Sequence, residues 1–228
     1  ILAAAERYDR PDWTYIVTSG AEGEAPEGTP SRFAAYAGHL VSRSGWDADA
    51  LWSFFGAGPA GAGSVHADAL HLSVTACGKD FLIDSGRFWY MGDQWQRFAH
   101  SSRSHNVILI DDCDQEPHPK KVDAPLPSEH WVITENYDFA RATHDRFENL
   151  EGSAAHTRIV VFLRDPGCWV VLDRIATDRP RSLTPMWRFR PERRVTLTDA
   201  GRLVTTDPAG ANLSITPVGD IDWTANLI

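Results

Sequence analysis

No apolar run in this 228-residue chain reaches the roughly eighteen residues that a membrane-spanning helix needs, so no membrane span is expected. A basic excess is missing too. The 22 Lys and Arg against 31 Asp and Glu leave a net charge of −9, which argues against nucleic acid as a partner, because a polyphosphate demands a basic face. Cysteine is scarce: Cys77, Cys113 and Cys168 form an odd set without CxxC spacing. Free, mostly buried thiols are expected, with a single disulfide as the alternative. Internal repeats, low-complexity tracts and regular amphipathic helices are also lacking. Disorder is excluded by a hydrophobic content of 43% that includes nine tryptophans.

What remains is a β pattern. In Ala69 to Ala76, Leu70, Leu72 and Val74 share one face while His71, Ser73 and Thr75 share the other, the mark of a half-buried strand with His71 at the surface. Gly78-Lys79 then turns the chain into FLID, as in a hairpin. Further strands are expected at Trp13–Thr18, Tyr36–Arg43, Ala50–Phe55, Asn106–Asp111, Trp131–Thr134, Phe139–Thr143, Thr157–Arg164 and Trp169–Ala176. Shorter ones follow at Thr184–Arg190, Val195–Thr198, Leu203–Thr205 and Leu213–Thr216. Turns such as Asp165-Pro166-Gly167 separate them, since proline presets φ and glycine accepts a positive one. Many short strands with Gly and Pro between them favour an all-β, large antiparallel β-sandwich over a parallel α/β sheet. Segments 21–31 and 113–129 read as loops, the second next to the residues considered below.

Those residues lie in HADALHLSV from His66, LIDSG around Asp84 and SSRSHNVILID around His105. Two imidazoles and a carboxylate from three β-like segments suit a borderline metal such as Zn²⁺, with a fourth position left for water. No local HExxH motif is present, and the residues are about twenty positions apart. His66 begins one strand of the expected hairpin and Asp84 ends its partner, so antiparallel pairing brings them together. The competing reading is a buried His66–Asp84 hydrogen-bonded pair, with His105 an ordinary residue at the start of a strand. Asp68 reads as an orienting group behind a ligand, or as a cap where the strand begins. Arg97, His100 and Arg103 are expected to form a small cationic patch beside His105. The run RFRPERR (188–194) reads as a strand edge protected by charge.

The words around these residues are specific. SRSGWDADALW, GAGP, HADAL, LIDSG, the Arg97-to-Asn106 segment and the following Asp114-Gln115 stand in the order seen in the heparinase II/III-like family of polysaccharide lyases. The resemblance is densest from Tyr36 to Gln115 and continues more loosely through 156–175. It implies a C-terminal β-sandwich domain that follows an N-terminal helical toroid, with a metal, often zinc, held by His66, Asp84 and His105. The toroid is absent from this chain. ILAAAERYDR reads as the last turn of a helix, so residues 1–10 are expected to end a helical domain and residues 1–228 to form a single sandwich domain of a longer enzyme.

The implied parent chemistry is β-elimination in a uronic-acid-containing polysaccharide. The implied partners are an acidic polysaccharide and the toroid, in a periplasmic or secreted setting. Ser64 departs from the pattern, because it stands where the resembling lyases carry a histidine that meets the substrate carboxylate. The catalytic base is unassigned, the metal is read as structural, and the isolated chain is expected to be inactive. Trp89, Tyr90, Arg97 and His100 are the substrate-binding candidates, with Trp95 beside them. The alternative from another class is a non-catalytic carbohydrate-binding or structural β-domain. A metal-assisted hydrolase is a third reading, weakened by the want of a general base beside the triplet.

Overall fold

In a computed structural model, residues 1–58, 66–86, 92, 94–116, 124–208, 210–219 and 224–227 are described. The chain opens with two short helices, α1 (Leu2–Arg7) and α2 (Pro11–Val17). The second corrects the strand expected at Trp13–Thr18. Pro11 sits in the first turn, where its fixed φ suits a helix, and Asp12 meets the positive end of the dipole. Trp13, Ile16 and Val17 have the i, i+3, i+4 spacing of a helix face, which so short an apolar run does not distinguish from a strand.

Five antiparallel strands follow as a meander: β1 (Arg32–Ala34), β2 (His39–Arg43), β3 (Trp52–Gly56), β4 (Leu72–Ala76) and β5 (Lys79–Leu82). Strand β4 buries Leu72, Val74 and Ala76 on one face, as its alternation requires. The hairpin centres on Cys77 and Gly78, at φ 50° and 67°, one residue earlier than expected. Two positive φ values define the primed turn whose twist matches the strands it joins. Cys77 is therefore exposed, and Cys113 and Cys168 are only half-buried; all three thiols are free, but burial does not hold for them.

The strand expected from Ala69 begins at Leu72 instead. Residues 68–71 form a turn in which the His71 N–H donates to the Asp68 carbonyl at 3.0 Å and Leu70 adopts φ 70°. This break in periodicity turns His71 inward to 3% exposure, correcting its assignment to the surface.

Beyond α3 (Gln94–His100) and a single 3₁₀ turn (Ser102–Ser104) comes β6 (Ile108–Ile110). A second antiparallel sheet has the order β10-β9-β8-β7, from β7 (Trp131–Ile133), β8 (Tyr137–His144), β9 (Ala154–Leu163) and β10 (Cys168–Thr177). β11 (Leu183–Pro185) pairs with β6, and β12 (Val195–Leu197), β13 (Leu203–Thr205) and β14 (Ser214–Ile215) form a small third sheet. The strand expected at Thr184–Arg190 is regular only over Leu183–Pro185; beyond it the Met186 N–H still donates to the Val107 carbonyl at 2.8 Å, and Phe189 bridges to Leu82.

The two larger sheets pack face to face. Phe33, Leu40, Phe55, Leu72 and Val74 of the first share one core with Ala140 and Val160 of the second. Phe33 stacks on Trp131 with ring centroids 4.7 Å apart, and Trp169 Nε1 donates to Ser53 Oγ across the interface at 2.9 Å. This is the expected antiparallel β-sandwich. Two of the four RFRPERR arginines are held by carboxylates, Arg190 by Asp80 and Glu192 and Arg193 by Asp207, while Arg188 Nε donates to the Arg103 carbonyl. Among the described residues, no helix is long and apolar enough to cross a membrane.

Candidate metal centre

Three backbone devices converge at one end of the first sheet. The 66–71 turn is tied to the α3 region through both backbone groups of Ala67. Its N–H donates to the His100 carbonyl at 2.8 Å, and its carbonyl accepts from Ser102 Oγ at 2.7 Å. Asp84 leaves the end of β5, where Gly86 N–H donates to Asp84 Oδ1 and Ser85 Oγ donates to the Ser104 carbonyl at 2.7 Å. His105 closes the 3₁₀ turn, its N–H donating to the Ser102 carbonyl.

These devices place one donor atom each from His66, Asp68, Asp84 and His105 within 4.8 Å of one another. His66 Nδ1 lies 3.4 Å from His105 Nε2, and Asp84 Oδ2 lies 3.4 Å from the same nitrogen. His105 is fully buried, and its other nitrogen, Nδ1, lies 2.8 Å from the Ser101 carbonyl. A carbonyl only accepts, so Nδ1 carries the proton and Nε2 turns its lone pair toward His66 and Asp84 in the neutral ring. An imidazole fixed by a backbone carbonyl behind it is the usual arrangement of a ligating histidine.

The carboxylates and imidazoles of the cluster shift one another. Burial raises the Asp68 carboxyl, with Asp84 adding to the rise and His105 opposing it. At Asp84 burial also pushes upward, but the His105 hydrogen bond and charge outweigh it and hold the carboxyl well below its ordinary range. Burial by itself lowers His105; Asp84, by hydrogen bond and charge, reverses this and raises it. Two imidazoles and two carboxylates form a donor set that fits a borderline divalent ion.

Residues 26–226 match the heparinase II/III-like, C-terminal family. The chain belongs to this family. A heparin-sulfate lyase of Pedobacter heparinus is 26% identical over 206 residues, which are 88% of this chain and 29% of that protein. The crystal structure of heparan sulfate lyase HepC from Pedobacter heparinus aligns with a TM-score of 0.78 at 23% identity, over 93% of this chain and 32% of that one. Heparinase III aligns at 0.67 and 14% identity, over 92% of this chain and 33% of its own. The chain thus spans about a third of the length of these relatives, and the structural likeness establishes the sandwich fold.

Within this heparinase II/III-like domain, the three expected metal ligands come together and bring a fourth group with them. Asp68, read as an orienting residue, offers a carboxylate oxygen to the same cluster. His100 packs its ring on His66, with centroids 4.3 Å apart. The rest of the expected cationic patch is directed elsewhere. Arg103 pairs with Asp112, and Arg97 is exposed and donates to the Gly92 carbonyl at 2.9 Å. Ser64, Trp89 and Tyr90 lie outside the described residues.

Two residues behind the site escaped the sequence reading. His71 Nε2 contacts Ser73 Oγ at 2.8 Å, and its Nδ1 accepts from the Asn106 N–H, while burial, helped by the His105 charge, lowers its pKa to about 3. Asn106 is fully buried; its amide nitrogen donates to the Leu72 and Ile83 carbonyls, and its amide oxygen accepts from the Arg188 N–H. The adjacent pair His105-Asn106 was the available signal, since a side-chain amide can bond three backbone segments at once where no strand pairing reaches.

Proposed function

We propose that this domain binds Zn²⁺ through His66, Asp84 and His105, with Asp68 as a further carboxylate. In this proposal it serves a polysaccharide lyase that cleaves uronic-acid-containing polysaccharide by β-elimination. The observation that carries the metal reading is the meeting of four donor atoms within 4.8 Å around an imidazole whose outer nitrogen is committed to a backbone carbonyl. The ion is structural in this reading: it holds the 66–71 turn, the end of β5 and the 3₁₀ turn in one arrangement. Metal that binds only the folded chain adds to folding stability.

In the elimination, the weakly acidic C5 proton leaves only when the neighbouring carboxylate is neutralised by cationic or hydrogen-bonding groups. The proposal gives that work to the rim of the site. α3 lies beside it through His100, and its exposed residues include Trp95, Arg97 and Phe98. An aromatic surface with a guanidinium suits an acidic sugar. The base that takes the proton is assigned to the rest of the parent enzyme, the N-terminal helical toroid. A periplasmic or secreted setting goes with this substrate, and fractionation of the source cells tests it.

Incubation with heparin, heparan sulfate, chondroitin and alginate tests the reaction, because elimination alone creates an ultraviolet-absorbing unsaturated uronate. The full-length enzyme is expected to generate that absorbance on at least one polymer, and residues 1–228 alone on none. Turnover by the isolated chain would overturn the placement of the base, and none by the full-length enzyme would favour a non-catalytic carbohydrate-binding domain.

A further inference from the structure

Strand β9 buries every second residue without a break, and the inward series Ala154, His156, Arg158, Val160, Phe162 contains an imidazole and a guanidinium. Arg158 is fully buried. Its Nε and NH2 groups donate to the two carboxylate oxygens of Asp173 on β10, at 2.8 and 3.1 Å, and His156 Nε2 lies 2.6 Å from Asp173 Oδ1. The remaining terminal nitrogen reaches across to the first sheet. It donates to the Leu70 carbonyl at 2.9 Å and to the Asn106 carbonyl at 2.6 Å.

Those two carbonyls mark the site's construction. Leu70, at positive φ, belongs to the turn that carries Asp68 and follows His66, and Asn106 directly follows His105. We infer that Arg158 is a positioning residue for the His66, Asp68, Asp84 and His105 cluster. Its guanidinium, oriented by Asp173, which His156 in turn contacts, clamps the two ligand-bearing segments at a fixed separation. The clamp rests on the metal reading for its purpose and on the hydrogen bonds alone for its existence.

Folding stability by itself does not explain the charge. A buried ion pair is often no better for stability than apolar side chains of similar volume, and the inward positions Ala154, Val160 and Phe162 of the same strand are apolar. What an apolar residue cannot do is bond two carbonyls from separate segments while a carboxylate fixes its plane. Lysine cannot either, since it lacks the planar fork that makes the two-pronged contact with Asp173.

The test compares Arg158→Lys with Val160→Ala, a truncation of the core on the same face of β9 that removes none of the clamp's hydrogen bonds. Each variant is read in two ways. One is the imidazole NMR signals of His66, His71 and His105 in metal-free protein; the other is the affinity and visible spectrum of bound Co²⁺. The clamp predicts shifted imidazole signals, an altered cobalt spectrum and cobalt binding weakened roughly tenfold or more in Arg158→Lys. In Val160→Ala all three stay as in the wild type despite a lowered melting temperature.

Equal behaviour of the two variants overturns the inference. If the wild type takes up no cobalt, the metal reading fails by itself, and the imidazole signals still decide the clamp. Should Arg158→Lys not fold, Asp173→Asn, which removes the charge orienting the guanidinium, is held to the same outcomes.

Discussion

At His105 the two ring nitrogens have different tasks, and much of the site's chemistry follows from that division. Nδ1 is committed to the Ser101 carbonyl, so Nε2 alone can answer to Asp84, His66 or a bound ion. Asp68 brings a further carboxylate oxygen to the cluster, with its carboxyl raised by burial. Asp68→Asn keeps the shape and removes a negative charge, and is expected to weaken zinc binding by roughly 10–100-fold, as measured by competition with a chelating dye. Unchanged affinity would remove Asp68 from the site. Ser64 carries a second prediction. In the full-length enzyme Ser64→His is expected to raise activity on acidic polymers without changing metal content, because a charged donor bonds a carboxylate roughly twice as strongly as a neutral one. Unchanged kinetics in both Ser64→His and Ser64→Ala would leave Ser64 a loop residue without substrate contact. His66, Asp84 and His105 were legible because each stands in a distinctive word of the sequence. His71 was misjudged, because parity along a strand holds only while the strand continues, and Leu70 at φ 70° interrupts it.

At the scale of elements, β9 shows what alternation reveals and what it conceals. The pattern of Thr157–Arg164 announced a strand, but it could not announce that two inward positions would be His156 and Arg158 meeting Asp173 from the neighbouring strand. Burial pushes the Asp173 carboxyl up, yet His156 and Arg158 outweigh burial and bring it down to about 2 from an ordinary 3.8. A carboxyl lowered in the folded state stabilises the fold fully above its unfolded value, and that stability is lost as pH falls through the folded one. Urea denaturation from pH 5 down to pH 2 is therefore expected to show on the order of 2 kcal/mol lost through this group, a loss missing from Asp173→Asn. Identical pH profiles would contradict it. Between the sheets, Trp169→Phe keeps an aromatic ring but removes the pyrrole half of the indole and the N–H that meets buried Ser53 Oγ, and about 1–3 kcal/mol of stability should go with them. A change within the error of denaturation would show that Ser53 finds another partner. The helix at Pro11–Val17 was illegible for a different reason: seven residues are too few for apolar spacing to separate helix from strand, and proline's place in the first turn decided it.

For the molecule as a whole, the antiparallel sandwich was readable because short alternating segments with turn residues between them leave few other architectures. The pairing of sheets was not, since the contact of Phe33 with Trp131 and of Ser53 with Trp169 joins residues about a hundred positions apart. The same long-range geometry makes the site: the first sheet and the α3 region supply the ligands, while the second sheet supplies Arg158 behind them. Membership of the heparinase II/III-like family gives this arrangement a setting, and the proposed metal gives it a measurable consequence. The most direct measurement is zinc content by elemental analysis of the purified wild type beside His66→Ala, Asp84→Asn and His105→Ala, each after zinc loading and dialysis. The account predicts about one equivalent in the wild type, its loss in all three variants, and a lower melting temperature wherever zinc is lost. A wild type without zinc after loading, or variants that retain it, would contradict the account.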